Sequence, residues 1–544
     1  MTDKNIYDLL IIGGGINGAG IAHYASHHGF KVYLSEKYDF GSQTSSSSTK
    51  LLHGGLRYLE NYEFGLVKSA LQERNKLYDI ASHIVRPLDF VLINNPLIRN
   101  KWLIRTGLFI YDSLAGFCAK FKKTKTLNLC KHIFGSSLDL EKIIKRYRSK
   151  TLTAFTYSDL WVDDARLTIL NIMAARYNDA SINRNTELLS AHYDISEQLW
   201  HANFINHKNG SLSQMKAKII INATGPWVNK TISNNLNLSP SHDIRLVKGS
   251  HIIVPKLYLG EQCYVLQHED KRLVFVIPYL DKYNLIGTTE TDEEQSALLN
   301  KPTIDNDEIN YLLAISNDFF KTQLSSKDII GSYSGIRPLL DSGEKNSSNN
   351  TRDYLIEIYK KNNFRGPLIN IYGGKITTYR VLALKVIKKL LTNYKSLLPT
   401  VNFNINYDEI LLPGANLNFI NHDNTDGNII DAEKYAQLKN KYPPHIINYI
   451  VFLLKKYNWL DIELAIRFTV NYGNLTEVIL VDCKSKADLG ISFGATLYSR
   501  EVDYLLHNEF AETVDDIIWR RTKLGFDLQD EDIIKLRQYI EEIV

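Results

Sequence analysis

The amino-terminal region carries two short hydrophobic runs separated by a glycine-rich turn and a helical stretch. The run from Leu9 to Ile12 is short and branched, as expected for a buried parallel strand. A helix-like stretch follows the turn as far as Gly29, and a second strand-like run ends at Glu36. Strand, turn, helix and strand in this order predict the βαβ unit of a parallel sheet.

The hydrophobic periodicity changes further along the chain. Between residues 244 and 290 apolar positions alternate with period two, which predicts an antiparallel sheet, and Glu63 to Ser82 predicts an amphipathic helix. From about residue 395 the apolar spacing is helical and lacks glycine-rich turns, which predicts a separate helical domain. At 544 residues the chain is too long for a single core, so two or three domains are expected.

The glycines of the first turn have the spacing of a dinucleotide-binding fingerprint, G-x-G-x-x-G. Gly13 permits the tight turn, Gly15 lets a pyrophosphate approach the backbone, and Gly18 lets the helix pack on the strand. The helix start offers free N–H groups and a positive dipole to phosphates. Glu36 can accept hydrogen bonds from ribose hydroxyls and would repel a 2′-phosphate, which favours FAD or NAD over NADP.

Composition excludes several other classes of protein. Hydrophobic residues make up 44% and charged residues 23%, as in ordinary soluble enzymes, and a net charge of +4 is too small to indicate nucleic-acid binding. The four cysteines show no metal-binding spacing and are expected to be free thiols in a reducing compartment: Cys118, Cys130, Cys263 and Cys483. No apolar run approaches the roughly 18 residues needed to cross a bilayer, so any membrane contact should be peripheral.

Residues 97–125 have an unusual charge pattern. Basic side chains flank an apolar middle from Leu103 to Phe117, in which Asp112 is the only acid. The pattern suits a helix lying on an anionic lipid surface, but it equally suits a core helix with basic ends. The sequence leaves both interpretations open.

Residues 40–60 contain a run of hydroxyl side chains that would suggest a linker in isolation. Lys50, His53, the pair Gly54-Gly55 and Arg57 follow it, so we interpret the segment as part of a cofactor cradle. Small hydroxyls can donate to phosphate or ribityl oxygens, and paired glycines let the backbone approach a flat ring. Because the chain has one dinucleotide fingerprint, the expected cofactor is FAD, reduced by a substrate other than a nicotinamide and reoxidised by a quinone, oxygen or an electron carrier.

Nine motifs, in chain order, resemble the aerobic, FAD-dependent glycerol-3-phosphate dehydrogenase family. They are Gly13–Gly20, Ser48–Glu60, Trp161–Leu167, Asn222–Trp227, Lys248–His251, Tyr333–Pro338, Thr351–Tyr354, Gly373–Arg380 and Trp519–Lys523. The resemblance implies oxidation of sn-glycerol 3-phosphate to dihydroxyacetone phosphate, with the hydride passing to flavin N5. It also implies reoxidation by ubiquinone, a homodimer, and a cytoplasmic protein bound peripherally to the inner face of the cytoplasmic membrane.

The implied fold class is α/β, or α+β overall: a Rossmann-like FAD-binding domain, an antiparallel-sheet substrate domain and a C-terminal all-helical cap. The expected FAD-binding domain is discontinuous, comprising residues 1–90, 151–243 and an active-site segment at 351–394. Residues 91–150 form the helical, possible membrane-contact segment. The substrate domain is expected at 244–350 and the cap at 395–544.

Phosphate recognition requires arginine forks or lysine charges. The candidates for substrate binding are Arg57, Tyr58, Arg337, Arg352 and Lys375. Any one of these cations alone would more often be a surface ion-pair partner. Taken together inside the family motifs, they are expected to bind substrate.

Oxidation at C2 also needs a base for the hydroxyl proton, and His53 and His251 are the candidates because imidazole titrates near neutrality. Arg337 could instead stabilise the developing alkoxide, so the expected catalytic residues are Arg337, His53, His251 and Lys375. The N–H groups after the Gly373-Gly374 turn could stabilise the reduced flavin at N1/O2.

The expected cofactor-binding residues come from four stretches of the chain. They are Gly13, Gly15, Ile16, Asn17 and Gly18; Glu36, Thr44, Ser45, Ser46, Lys50, Leu52, Gly54 and Gly55; Ala223, Thr224 and Gly225; and Gly374, Lys375 and Thr377.

The sequence departs slightly from the family pattern and leaves two alternatives open. Thr49 stands where serine is common, and Glu290 stands where aspartate is usual. An oxygen-using glycerol-3-phosphate oxidase shares much of the pattern, and a non-catalytic FAD-fold binding protein is the alternative outside enzymes. The 97–125 segment and the Trp519–Lys523 motif favour the quinone-linked dehydrogenase.

Overall fold

A computed structural model describes residues 6–56, 59, 62–93, 100–121, 134–135, 144, 154–268, 270, 272–341, 354–399, 405–417 and 429–543. The strands are β1 Ile6–Ile12, β2 Val32–Ser35, β3 Leu51–Leu52, β4 Val85–Ile93, β5 Phe134–Gly135, β6 Ala154–Val162, β7 Ser181–Asn183, β8 Thr186–Asp194, β9 Leu199–Asn206, β10 Leu212–Asn222, β11 Ile244–Pro255, β12 Cys263–Gln267, β13 Leu273–Tyr279, β14 Tyr283–Gly287, β15 Thr291–Glu293, β16 Gly331–Leu340, β17 Leu355–Ile358 and β18 Leu368–Tyr372. The helices are α1 Ile16–His27, α2 Phe64–Ile80, α3 Lys101–Phe121, α4 Asp164–Tyr177, α5 Val228–Lys230, α6 Asn306–Phe319, α7 Tyr379–Asn393, α8 Ala432–Lys441, α9 Pro444–Lys456, α10 Ile462–Tyr472, α11 Thr476–Ile479, α12 Ser499–Asn508 and α13 Asp530–Ile543.

The first sheet, sheet A, has the strand order β17-β18-β10-β1-β2-β7. In addition, β9 pairs with β10, and β8 pairs with β9. β1 runs parallel to both β2 and β10, and β10 runs parallel to β18. The register pairs Ile12 with Ser35 on one side and with Asn222 on the other. The carboxyl ends of these strands therefore meet at one edge, where a doubly wound sheet binds its ligand.

Helices α1, α4 and α7 form the layer over sheet A, and α1 packs between the other two. Helix α1 consists mostly of small and apolar residues, so nearly all of its surface is buried. This packing fixes the start of α1 against the strand ends that precede and face it.

The second sheet, sheet B, contains ten strands in the principal order β15-β11-β14-β13-β12-β4-β6-β3, with β16 beside β11 and β5 beside β6. The predicted antiparallel sheet at 244–290 is confirmed within it. Strands β3, β4 and β6, from stretches expected in the FAD-binding domain, also pair here. The domain boundaries given above remain predictions.

The C-terminal helices form their own apolar core, which agrees with the predicted helical cap. The predicted fold class, with its Rossmann-like sheet, antiparallel sheet and helical cap, is confirmed. The amphipathic helix predicted at 63–82 is α2, and the apolar stretch of residues 97–125 lies largely in α3. In the described part of the chain, no helix is long and apolar enough to span a bilayer.

Candidate active site

The aligned strand ends of sheet A form a nucleotide edge, made of the Gly13–Gly18 turn, Ala223–Gly225 and Gly373–Lys375. Gly13 has a φ of +101°, and a Cβ there would lie 2.7 Å from the carbonyl oxygen of Ala223. A Cβ on Gly18 would collide with the Gly13 carbonyl oxygen. The close packing of turn, helix and neighbouring strand therefore requires glycine at both positions.

The start of α1 is suited to binding an anion. Gly15 is its N-cap residue and has no side chain with which to cap the helix, and the first turn carries no acid. Ser45 Oγ accepts a hydrogen bond from the Ile16 N–H at 2.9 Å, and Asn17 Nδ2 donates to the Gly373 carbonyl at 3.0 Å. The helix dipole, the Ser45 hydroxyl and the Gly373 turn thus converge where a pyrophosphate would lie.

Glu36 lies beneath the glycine turn, directly after β2. One carboxylate oxygen accepts a hydrogen bond from the Gly14 N–H at 2.7 Å, and the other accepts from the Tyr38 N–H at 2.8 Å. Burial is the largest influence and raises the pKa of Glu36, although the two N–H groups oppose it. This acid is in the position from which a dinucleotide-binding sheet reads ribose, so these residues fit FAD.

Residues 44–50, here called the strap, cross from the nucleotide edge to one face of sheet B. Thr44 Oγ1 donates to the Ile336 carbonyl at 2.7 Å, and Tyr333 Oη donates to the Ser48 carbonyl at 2.8 Å. Thr49 Oγ1 lies 3.0 Å from His251 Nε2. The strap is therefore held by strands β11 and β16, about two hundred or more residues later in the chain.

A buried ion-pair chain holds the strap from its other side. Lys50 Nζ lies 2.6 Å from Asp164 Oδ1, and the second oxygen of Asp164 accepts from the Ser48 N–H and hydroxyl at 3.1 and 2.7 Å. Burial alone would lower the pKa of Lys50, but the Asp164 carboxylate overrides it and raises the pKa. The ammonium group of Lys50, expected at the cofactor, thus points at Asp164.

The C-terminal domain contributes a cation next to this ion pair. Lys523 Nζ lies 2.6 Å from Asp163 Oδ1, and both side chains are buried. Asp163 also caps α4 by accepting from the Arg166 N–H at 3.0 Å. The Trp519–Lys523 motif therefore reaches the segment that anchors the strap.

The face of sheet B beneath the strap, here called the substrate face, is built around Arg337. Register pairs Val247 with Arg337 and Gly249 with Gly335, so their side-chain positions share this face. A Cβ on Gly249 would lie 2.6 Å from Arg337 Nη2, and that Nη2 donates to Thr288 Oγ1 at 3.1 Å. Gly249 thus forms a shelf on which the half-buried guanidinium lies.

The two candidate bases lie in different environments. His251 is fully buried, stacks on Tyr333 with ring centroids 4.8 Å apart, and sits over Gly287, where a Cβ would collide with its ring. Burial, followed by the charges of Arg337 and Lys50, lowers the pKa of His251 well below 6.5. His53 is exposed at the end of β3. The surroundings of His251 thus favour its neutral imidazole.

The structure brings most of the predicted site residues into this arrangement. The glycine turn, Ser45, Ala223 and the Gly373 turn meet at the nucleotide edge, while Arg337 and His251 share the substrate face. Leu52 ends strand β3, and Gly54 and Gly55 lie buried in the loop that follows it. The remaining predicted positions in described segments are Thr44, Ser46, Thr224, Gly225, Gly374, Lys375 and Thr377, whereas Arg57, Tyr58 and Arg352 lie outside the described residues.

Several residues of the site were not identified from the sequence. Asp164 and Tyr333 anchor the strap, and Thr288 contacts Arg337. Each lies in or beside a stretch already singled out, but their roles depend on contacts across more than one hundred residues or between strands. The cross-strand register supplies that information, and a linear pattern does not.

A helix start suited to phosphate, an acid directly after the second strand and an arginine on the face beneath the strap are together typical of a dinucleotide-dependent oxidoreductase. A family model described as "FAD dependent oxidoreductase" matches residues 8–351. A second model, "C-terminal domain of alpha-glycerophosphate oxidase", matches residues 406–543. The chain is therefore an FAD-dependent oxidoreductase, and FAD is its cofactor.

Similarity to individual proteins identifies the family within the FAD-dependent oxidoreductases. The chain is 41% identical to glycerol-3-phosphate dehydrogenase of Pseudomonas aeruginosa, over 98% of this chain and 95% of that protein. It is 39% identical to D-erythritol 1-phosphate dehydrogenase of Brucella abortus, over 96% and 95%. The crystal structure of glycerol-3-phosphate dehydrogenase from Bacillus halodurans complexed with FAD has the same fold, with a TM-score of 0.67, 23% identity, and coverage of 100% of this chain and 90% of that one. The chain belongs to the aerobic, FAD-dependent glycerol-3-phosphate dehydrogenase family.

Proposed function

We propose that this protein oxidises sn-glycerol 3-phosphate to dihydroxyacetone phosphate and passes the electrons to ubiquinone. The observation that carries the proposal is the placement of Arg337 on the Gly249 shelf, on the face of sheet B that the strap crosses. A guanidinium held there can bind a phosphate or a developing alkoxide through two parallel hydrogen bonds. The relatives named as glycerol-3-phosphate dehydrogenases support this substrate.

The proposed residue roles follow from side-chain chemistry and from the family resemblance of the motifs that carry these residues. Arg337 and Lys375 bind the substrate together with Arg57, Tyr58 and Arg352, and the cations balance the phosphate dianion. His251 takes the proton of the C2 hydroxyl as the carbonyl forms, since its neutral imidazole can accept a proton, and His53 is the alternative base. FAD, held at the nucleotide edge, would supply the redox chemistry as the acceptor of the C2 hydride.

Anaerobic reduction of the bound flavin tests substrate and redox direction together. Addition of sn-glycerol 3-phosphate to purified holoenzyme without oxygen should bleach the flavin absorbance. D-erythritol 1-phosphate is the comparison substrate, because a dehydrogenase of that compound is almost equally similar to this chain. Faster bleaching by the four-carbon substrate would overturn the proposed preference, and no bleaching by either would favour a non-catalytic FAD-binding protein.

The electron acceptor is tested separately. With glycerol 3-phosphate in air, a quinone-linked enzyme should turn over only when a soluble quinone is added. Stoichiometric hydrogen peroxide without quinone would instead identify an oxygen-using oxidase. The two outcomes do not depend on the identity of the base or the phosphate ligands.

We also propose that α3 contacts an anionic membrane surface. Ile104 and Leu108 face the interior, whereas Trp102, Leu103 and Phe109 are 61%, 60% and 62% exposed. Lys101 and Arg105 lie beside the exposed apolar side chains, a pattern suited to anionic headgroups. We propose that this contact places the protein at the inner face of the cytoplasmic membrane. The family resemblance also supports the proposal that the protein is a homodimer.

Vesicle flotation tests the membrane contact. The holoenzyme should float with vesicles of anionic phospholipid and much less with neutral ones. Replacing Trp102 and Phe109 together by glutamine should abolish flotation while leaving flavin content unchanged. Equal binding to neutral vesicles would contradict the electrostatic part of the proposal.

A further inference from the structure

The inner side of α3 connects to the loop that follows the strap. Tyr111, on the buried face of α3, accepts a hydrogen bond from the Gly54 N–H at 2.8 Å. Its hydroxyl donates to the Asp159 carboxylate, whose oxygens lie 2.9 and 2.8 Å away. Arg74 Nη1 completes the arrangement by donating to Asp159 Oδ1 at 2.6 Å. A single line of hydrogen bonds thus runs from α2 through β6 and α3 to the loop.

The residues of this line are almost completely buried. Arg74, Tyr111 and Asp159 are 1%, 1% and 2% exposed, so water does not compete for the hydrogen bonds. Burial first, and then the Asp159 charge, raise the pKa of Tyr111 well above its ordinary value, so the hydroxyl stays protonated. The Tyr111 hydroxyl is therefore a permanent donor to Asp159 and a permanent acceptor for Gly54.

The loop cannot move toward α3 or accept a larger residue at its contact point. A Cβ on Gly54 would lie 2.6 Å from Tyr111 Oη and 2.6 Å from Leu71 Cδ2. The backbone N–H of Gly54 and the phenol oxygen of Tyr111 are in contact because residue 54 lacks a side chain. The contact fixes the distance between the backbone of the loop and helices α2 and α3.

We propose that Tyr111 is a positioning residue for the reaction. By holding the Gly54 N–H, it fixes the loop that carries His53, Gly54 and Gly55 and that leads in sequence to Arg57. This inference rests on the proposed function, because those residues are the alternative base, the expected flavin contacts and an expected phosphate ligand. It assigns a reaction role to a residue on the buried side of α3, the helix whose exposed side is proposed to contact the membrane.

Tyr111→Phe is the direct test, since it removes the hydroxyl and keeps the ring. The buried Gly54 N–H then lacks its acceptor, so the loop should adopt other positions and the apparent KM for sn-glycerol 3-phosphate should rise about tenfold. Flavin content and kcat should stay close to wild type. A change that weakens binding of the substrate and of the transition state equally raises KM and leaves kcat unchanged. Tyr157→Phe is the matched control: its ring packs edge to face on Tyr111 at 6.1 Å, but the hydroxyl that accepts the hydrogen bond from the Gly54 N–H is that of Tyr111.

Two further measurements keep the test decisive. Gly54→Ala perturbs the same contact from the loop side and should raise KM in the same direction. Tyr111→Phe should also shift the visible absorption spectrum of the oxidised flavin, whereas Tyr157→Phe should not, and this readout needs no substrate. Failure of the wild-type flavin to bleach would defeat the proposed function, while the spectral comparison would still decide the role of Tyr111.

An unchanged KM and spectrum in Tyr111→Phe would overturn the inference. Loss of flavin-loaded protein in Tyr111→Phe would also overturn it, since the contact would then serve folding alone. A raised KM shared by Tyr157→Phe would show a general packing effect and would count against a specific hydrogen bond.

Discussion

The nucleotide edge of sheet A and the substrate face of sheet B both depend on glycine, but for opposite reasons. At the edge, Gly13 and Gly18 let backbone segments pack closely, so that backbone N–H groups are available to bind the FAD phosphates. On the face, Gly249 and Gly287 make room for the side chains of Arg337 and His251. On the proposed function, one region binds FAD with backbone groups, and the other binds the substrate with charged and titratable side chains.

This difference implies that the two functions can be separated by mutation. A change at the edge should remove the cofactor and everything that depends on it. A change on the face should leave FAD bound and affect only the substrate, because Arg337 and His251 lie on a different sheet from the glycine turn. The following predictions test this separation from the largest expected effect to the smallest.

Gly18→Ala should give protein without flavin. Its Cβ would collide with the Gly13 carbonyl oxygen, so α1 and the glycine turn could not keep their contact. Flavin absorbance per polypeptide measures the effect. Gly65→Ala is the control, since a Cβ there meets nothing within 4 Å, and equal flavin loss in both variants would contradict the prediction.

His251→Gln should slow flavin reduction by about 10²-fold, the scale of general-base catalysis, with FAD retained. The pKa of His251 is lowered well below 6.5, so its imidazole remains neutral and able to accept a proton as the pH falls through 6.5. The wild-type rate of anaerobic flavin reduction, measured by stopped flow, should therefore not fall through protonation of His251 when the pH is lowered to 6.5. A smaller effect than that of His53→Gln would identify His53 as the base.

Gly249→Ala should raise the KM for glycerol 3-phosphate about tenfold, while flavin content stays unchanged. The added methyl would lie 2.6 Å from Arg337 Nη2 and 2.7 Å from Thr288 Oγ1, so the guanidinium must shift. Steady-state kinetics with saturating quinone gives the KM. An unchanged KM would mean that Arg337 does not need its present position, and loss of flavin would contradict the separation of edge and face.

The same contrast explains how much could be predicted from the sequence. The residues of the edge lie in contiguous motifs, so the Gly13–Gly18 turn and Glu36 could be identified from spacing and polarity alone. Arg337 and His251 could be named through family resemblance, but their shared face is set by the pairing of β11 with β16. Lys50 was expected at the cofactor, yet its ammonium binds Asp164, because a buried cation requires a buried anion.

Helix α3 shows where pattern alone was insufficient. Its charge pattern allowed a surface helix or a core helix, and in the structure one side is buried while Trp102 and Phe109 are exposed. Nothing in the spacing of Tyr111 indicates that it meets Gly54, because that contact joins an interior helix face to a loop 57 residues earlier.

The central claim is that the backbone edge holds FAD while Arg337 on the substrate face holds the substrate. The most direct measurement is an anaerobic titration of Arg337→Ala with sn-glycerol 3-phosphate, followed by dithionite. The account predicts a full complement of flavin that dithionite bleaches and glycerol 3-phosphate does not. A variant that has lost its flavin, or one that glycerol 3-phosphate bleaches as readily as wild type, would contradict it.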